Sequence, residues 1–252
     1  FSFLKSGLVY SDVLTTVSKT YAAEILTPEY GSGFDGILRT RTADLFGIVN
    51  GADYEVWSPE TDTFIPYQFS HDTLTKKLQN KKHLLNATHL PFSEKRPVIG
   101  IISRLVGQKG FNLVVSILPK LMEMDVQLVI LGSGDPVLES TFRQAQIDYP
   151  KKVSTYIGYD NAFSHLIEAG SDIFLMPSLY EPCGLNQIYS LKYGTIPIVR
   201  STGGLADTVI DWQPEKSNQH GNGFVFHQPE PDALLQTVKR AVETFKNKKQ
   251  WN

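Results

Sequence analysis

With one cysteine in 252 residues, this chain has no intrachain disulfide to staple it, and it fits a reducing compartment. An excess of charge of one sign is missing too: 24 Lys plus Arg stand against 26 Asp plus Glu. No overall field therefore draws the chain to nucleic acid or to an anionic membrane, and any anionic ligand must be held by a local cluster. No stretch approaches the ~20 apolar residues of a membrane-spanning helix, so the sequence reads as that of a soluble protein. The six histidines, His71, His83, His89, His165, His220 and His227, are scattered without ligand spacing, and no metal is expected. The opening FSFLKSGLVYSD has neither an initiator Met nor a basic leader, and reads as the cut edge of a longer chain. Without a secretory leader, Asn86-Ala87-Thr88 reads as a helix end rather than a glycosylation site.

What is present is an ordinary globular composition, 41% hydrophobic and 20% charged, with material for one or two cores. Residues 1–57 carry a helical start, a strand-like DVLTTVS, a helix near Thr20–Leu26, a Gly-rich PEYGSGFDG loop and a second strand-like run, GIVNGAD. Residues 58–96 are polar and punctuated by proline, with TLTKKLQNKKHLL as an exposed helix whose lysines form a solvated face. From Pro97 the pattern becomes regular. PVIGIIS, VQLVILGSG, KVSTYIGY, DIFLMPS, TIPIVRS and GFVFH read as buried strands, separated by helical patterns such as Phe111, Val114, Val115, Leu118 and Leu121. Strict alternation of strand and helix predicts an α/β fold, a doubly wound parallel sheet of Rossmann type over residues 97–252.

Ligands of such sheets bind beyond the carboxyl ends of the strands, so the loops there are the places to search. In SRLVGQKGF, Arg104 ends a strand and Lys109 precedes a helix start, which makes either a pyrophosphate clamp or a pair of surface cations. LGSGDP holds only two glycines of a dinucleotide fingerprint, a weak signal for NAD. Tyr159, just past a strand end, is placed to stack on a base or to pack against its own loop. In YEPCGLNQIYSLKYG a helix is predicted to begin near Gly184 and stop at Gly194, with Glu181 one turn ahead of it facing the cleft. Cys183 sits in that turn, but no recognisable partner activates it, so its backbone is expected to matter more than its sulfur.

Taken together, SRLVGQKGF, IGYDNAFSH, YEPCGLNQIYSLKYGTIPIVRSTGGLADTV and GIVNGADYEVWSPETD resemble the bacterial glycogen synthases and plant starch synthases, retaining glucosyltransferases of GT-B fold. The resemblance runs along essentially the whole chain. It implies that Arg104 and Lys109 neutralise the diphosphate of ADP-glucose, that Tyr159 stacks on adenine, and that Glu181 lies beside the transferred glucose. By the same resemblance the backbone at Cys183 and Gly184 meets the sugar hydroxyls or phosphate, and Asn50 reaches the donor sugar from the domain junction. Asn186, Gly203 and Gly204 are implied as further substrate-binding positions, although Asn186 stands where threonine is common in the bacterial enzymes. Tyr189 occupies the place of a second glutamate that sucrose synthases carry, which favours a glycogen or starch synthase.

The implied organisation is the end of an N-terminal domain and junction over residues 1–57, a linker with its helix over 58–96, and a nucleotide-sugar-binding domain over 97–252. A Lys-x-Gly-Gly-Leu segment and the Asp and His of the family's N-terminal domain are absent, so the chain is expected to hold half a cleft and to be inactive alone. The implied reaction moves glucose from ADP-glucose to the non-reducing end of an α-1,4-glucan, without a cofactor, in the bacterial cytoplasm or, alternatively, a plastid stroma. A non-catalytic nucleotide- or glucan-binding module and a UDP-sugar-dependent transferase are the competing readings.

Overall fold

The computed structural model describes residues 2–215 and 221–251; His220 lies outside them. The first unit contains α1 (Phe3–Tyr10), β1 (Leu14–Thr16), α2 (Lys19–Glu24), α3 (Asp35–Thr40) and β2 (Leu45–Gly47), with β1 and β2 paired in parallel. After an irregular stretch comes α4 (Thr75–Ala87). The alternating part follows as β3 (Val98–Ile102), α5 (Phe111–Glu123), β4 (Gln127–Gly132), α6 (Pro136–Asp148), β5 (Val153–Ile157) and α7 (Asn161–Gly170). It continues through β6 (Ile173–Met176), α8 (Asn186–Lys192), β7 (Ile196–Arg200), α9 (Gly203–Thr208), β8 (Phe224–Phe226), α10 (Pro231–Lys246) and α11 (Lys248–Trp251).

The larger sheet has six parallel strands in the order β5-β4-β3-β6-β7-β8. All six predicted strands are there: the four central runs are largely buried on both faces, while edge strand β5 leaves Tyr156 to solvent. β4 shows how the faces are shared: Leu128 and Ile130 join the core under α5, α6 and α10, while Val129 and Leu131 join the core under α4 and α7. Burying each such side chain contributes roughly 1.5–3 kcal/mol. Helix starts follow local chemistry. Asp135 caps α6 by accepting from the Val137 and Leu138 N–H groups, with Pro136 at the first helical position, and Asp160 caps α7 through the Phe163 N–H.

Two expectations need correction. The strand in the first unit is Leu45–Gly47, and GIVNGAD is strand only at its first residue. Gly47 passes so close to Ser18 that a Cβ there would lie 2.1 Å from the Ser18 carbonyl oxygen. One further bond, Ile48 N–H to the Thr16 carbonyl (2.8 Å), closes the ladder, and Ile48 and Val49 then face solvent. Nor is α4 exposed all round: Lys76 and Lys82 are solvated as expected, but Lys77 and Lys81 are not. It packs across α7 and buries Asn80, Lys81, Leu84 and Leu85. Lys77 Nζ donates to the carbonyls of Glu168 (3.3 Å) and Ala169 (3.1 Å) at the end of α7, and to Thr195 Oγ1 (2.7 Å). Lys81 pairs with Asp172 (2.7 Å) and donates to the Arg96 carbonyl (2.8 Å). The carboxyl end of a helix leaves carbonyls without intrahelical partners, and ammonium groups satisfy them.

Candidate active site

The chain leaves β3 toward β4 and β5 on one side, then crosses to β6, β7 and β8 on the other. The loops after β3 and β6 are therefore pushed apart at this reversal, which leaves a crevice beyond the strand ends. Gly110 sets its floor. It holds φ +76° at the start of α5, and a Cβ on it would lie 1.9 Å from the Pro177 carbonyl oxygen. That close approach brings the loop carrying Lys109 against the loop carrying Glu181.

A cavity of about 230 Å³ lies there, lined by Arg104, Lys109, Ser178, Glu181, Gly184 and Asn186 among others. Arg104 is exposed and, among the described residues, has no ion-pair partner. Glu181 is buried, and its Oε2 accepts from Lys109 Nζ (2.6 Å) and Ser178 Oγ (2.9 Å). The turn itself is braced from below. Buried Arg200, at the end of β7, donates from Nε to the Ser178 carbonyl (3.0 Å) and from Nη2 to the Leu179 carbonyl. The Gly204 N–H donates to the carbonyls of Glu181 (3.2 Å) and Pro182 (3.0 Å). Gly203 and Gly204, expected to bind substrate, line neither cavity of the crevice and instead pack against the backbone of residues 181–183.

Cys183 is buried, and its carbonyl accepts from Gln187 Nε2 (3.0 Å). Among the described residues no histidine or carboxylate hydrogen-bonds its sulfur, in keeping with a turn whose backbone matters. Tyr180 is joined to the first unit: its hydroxyl bonds that of Tyr21, and its ring stacks on Tyr30 with centroids 5.9 Å apart. Burial first, then the Tyr21 hydroxyl, push the Tyr180 phenol well above its ordinary value.

A second cavity of about 320 Å³ adjoins the first, sharing Ile102, Ser103, Arg104 and Asn186. Its other walls include Trp57, Ser133, Gly158 and Tyr159. Tyr159 is 83% exposed and its hydroxyl bonds Asn161 of its own loop (3.4 Å), so its ring is open to a ligand. Asn186 is fixed by donating to the Ile102 carbonyl at the end of β3 (3.0 Å). Asn50 is exposed in the loop beyond β2 and lines neither cavity. The half fingerprint has a packing reason instead. A Cβ on Gly132 would lie 1.9 Å from the Ser103 carbonyl oxygen, and the Gly134 N–H is taken by Glu139 Oε1 (2.9 Å). With Asp135 on the next N–H groups, the start of α6 is already satisfied by carboxylates and offers nothing to a phosphate.

Residues 86–252 match the family described as Glycosyl transferases group 1. The chain belongs to that family. Residues 1–40 match the starch synthase catalytic domain. The chain is 51% identical to the glycogen synthase of Koribacter versatilis over 99% of this chain and 51% of the relative. It is equally 51% identical to that of Marinomonas sp., over 100% of this chain and 52% of the relative. The catalytic domain of Starch Synthase IV from Arabidopsis thaliana bound to ADP and acarbose superposes with a TM-score of 0.92 at 37% identity, over 98% of this chain and 52% of that one. The chain thus spans about half the length of the curated relatives it matches, and its fold is that of one part of a GT-B transferase, as the sequence implied.

Of the implied site residues, Arg104, Lys109, Tyr159, Glu181, Gly184 and Asn186 line one continuous crevice. Sequence reading passed over Ser178, Arg200 and Trp57. The only advance signal for Arg200 was a cation closing a strand of apolar residues, where a charge needs partners.

Proposed function

We propose that this transferase moves glucose from ADP-glucose to the non-reducing end of an α-1,4-glucan, with retention at the anomeric carbon. The observation that carries this reading is the crevice itself, with an exposed aromatic ring at one end, Arg104 in the middle and the Lys109–Glu181 pair at the other. Tyr159 takes the adenine face, Arg104 and Lys109 the diphosphate, and Glu181 the hydroxyls of the transferred glucose. The high likeness to a starch synthase solved with ADP and acarbose supports both ligand classes.

The chemistry asks mainly for charge stabilisation. Negative charge grows on the departing diphosphate, so cations fixed beside it bind the transition state more tightly than the ground state. Lys109 is held at 2.6 Å by Glu181 before any ligand arrives, so it pays little reorganisation when the phosphate comes. No metal or cofactor is required by this scheme, and the leaving phosphate itself takes the acceptor proton. The remaining half of the cleft comes from the family's N-terminal domain, and the bacterial cytoplasm is the proposed setting. No helix of the described residues is long and apolar enough to cross a membrane.

The test is calorimetry with ADP and UDP together with glucose transfer by the full-length protein. Arg104→Ala and Lys109→Ala are each expected to weaken ADP binding and to lower kcat by at least ~100-fold. Near-normal turnover in either variant removes that residue from catalysis. Tighter binding of UDP than ADP replaces the donor assigned here.

A further inference from the structure

We infer that Trp57 is a wall of the donor pocket that contacts the nucleoside of a bound nucleoside diphosphate; this rests on the donor-site reading above. Trp57 belongs to no loop of the six-stranded sheet. It reaches the cavity that also holds Tyr159, Ser133 and Gly158 from the irregular chain ahead of α4, and it is only half-buried there.

What sets this ring apart from Tyr159 is how firmly it is held. The indole stacks on His165 (centroids 3.8 Å apart, planes 11° apart) and on Tyr189 (4.3 Å, 4°). His165 is in turn fixed by a bond from Nδ1 to Asp62 Oδ2 (2.8 Å), and the same oxygen accepts from the Tyr193 hydroxyl (2.5 Å). Asp62, His165 and Tyr193 are all buried. A carboxylate, an imidazole and a phenol are thus spent on orienting one indole at a cavity mouth.

Such an arrangement suits ligand binding. His165 and Tyr189 lie on opposite faces of the indole, so the cavity meets its edge, and an edge already locked in place loses no rotamer freedom when a ligand packs against it. The walls around Trp57 combine Ser103, Ser133 and Gly158 with Leu131 and Asn161, and Arg104 lies where this cavity meets the one holding Lys109. A ligand whose phosphates lie by Arg104 and Lys109 therefore extends its nucleoside between an exposed ring, Tyr159, and a firmly held one, Trp57.

The test compares ADP with inorganic pyrophosphate, which carries the phosphates without the nucleoside, by calorimetry on the protein. Trp57→Ala is expected to raise the Kd for ADP about 2- to 10-fold, the scale of an edge-to-face aromatic contact, and to leave pyrophosphate unchanged. In Trp212→Phe/Trp251→Phe, where Trp57 is the last of three tryptophans, ADP is expected to change the fluorescence saturably and pyrophosphate not. Unchanged ADP affinity in Trp57→Ala overturns the inference, and so does equal weakening of both ligands, which makes the ring a support only. Should Trp57→Ala fail to fold, a fluorescence signal indifferent to saturating ADP has the same force. Arg104→Ala separates the two readings: if it binds ADP as the parent does, the donor site is wrong, whatever Trp57 does.

Discussion

Glu24 and Asp207 stand in the last turns of two six-residue helices, and each accepts hydrogen bonds from groups at the start of the other, adding to the Ser18 cap of α2. Glu24 Oε1 accepts from the Gly203 N–H (3.0 Å) and Thr202 Oγ1 (2.9 Å) at the start of α9. Asp207 Oδ2 accepts from the Lys19 N–H (2.7 Å), and its Oδ1 from Thr20 Oγ1 (2.6 Å), at the start of α2. Helices this short are unstable alone, so each exists largely because the other does. The clasp ties the first unit to the glycines beneath the Glu181 turn.

Removing one half of the clasp has a predictable cost. Asp207→Ala is expected to lower the unfolding free energy by about 1 kcal/mol, and Asp207→Asn by less, because an amide oxygen still accepts at a cap. Burial works against the Asp207 carboxylate, but bonds from Thr20, Ser18 and the α2 backbone outweigh it and hold its pKa below the usual range. A carboxyl so depressed stabilises the fold above its unfolded value of ~3.9, and that contribution disappears as the pH falls through the native value. Urea unfolding at pH 7 and pH 3 should therefore separate Asp207→Asn from its parent at the higher pH and narrow the gap at the lower. A constant gap sinks the assignment.

Glu168 behaves in the opposite sense. Burial lifts its carboxyl to about 8, against the bond from Ser190 Oγ (2.7 Å) and the charge of Lys77. Burial likewise brings the Lys77 ammonium down to about 8, with Asp172 and Glu168 opposing. Between ~4.3 and about 8 the native Glu168 keeps a proton that the unfolded chain has lost, so stability falls as the pH rises. Between about 8 and ~10.4 the unfolded chain keeps the Lys77 proton that the native state has lost, and stability rises again. A minimum near pH 8 is expected in the urea midpoint. Glu168→Gln should abolish the fall between pH 5 and pH 8, and an unaltered profile in that variant rules the carboxyl out as its source.

How far the sequence carried these features depends on how local they are. The six strands were legible because runs such as QLVILG leave no face for water, and Arg104 and Lys109 because strand ends are where such sheets bind ligands. Lys77 and Lys81 misled because charge spacing on one helix says nothing of the carbonyls that a second helix, α7, leaves open opposite them. Ser178 and Arg200 became visible only once β6 and β7 lay side by side. The Asp62–His165 bond joins residues 103 positions apart, a pairing no spacing rule reaches.

That bond also fixes an expected stability loss. Hydrogen bonds from His165, Tyr193 and the Phe64 N–H overcome the effect of burial and hold the Asp62 carboxyl below its usual value. Asp62→Ala leaves a buried imidazole and phenol without their acceptor, and should cost roughly 1–3 kcal/mol for each in urea unfolding at pH 7. A loss under ~1 kcal/mol, the range of exposed pairs, would mean that the network contributes no more than a surface contact.

The Glu181 turn offers the sharpest separation of backbone from thiol. A Cβ on Gly204 would lie 2.0 Å from the Cys183 carbonyl oxygen and 2.5 Å from its Cα, atoms that no side-chain rotation can clear. Gly204→Ala must therefore force α9 and residues 181–183 apart, and it is expected to move Glu181 relative to Lys109. A misplacement on the order of 1 Å can cost about 100-fold in rate, and that is the loss expected in glucose transfer by the full-length protein. Cys183→Ala removes only the sulfur and keeps every backbone group of the turn, so its kcat should stay within about 3-fold of the parent, since no step of the charge-stabilisation scheme uses the thiol. If instead Cys183→Ala loses as much rate as Gly204→Ala while keeping the parent's urea midpoint, the sulfur takes part in the reaction and the backbone account of this turn is wrong.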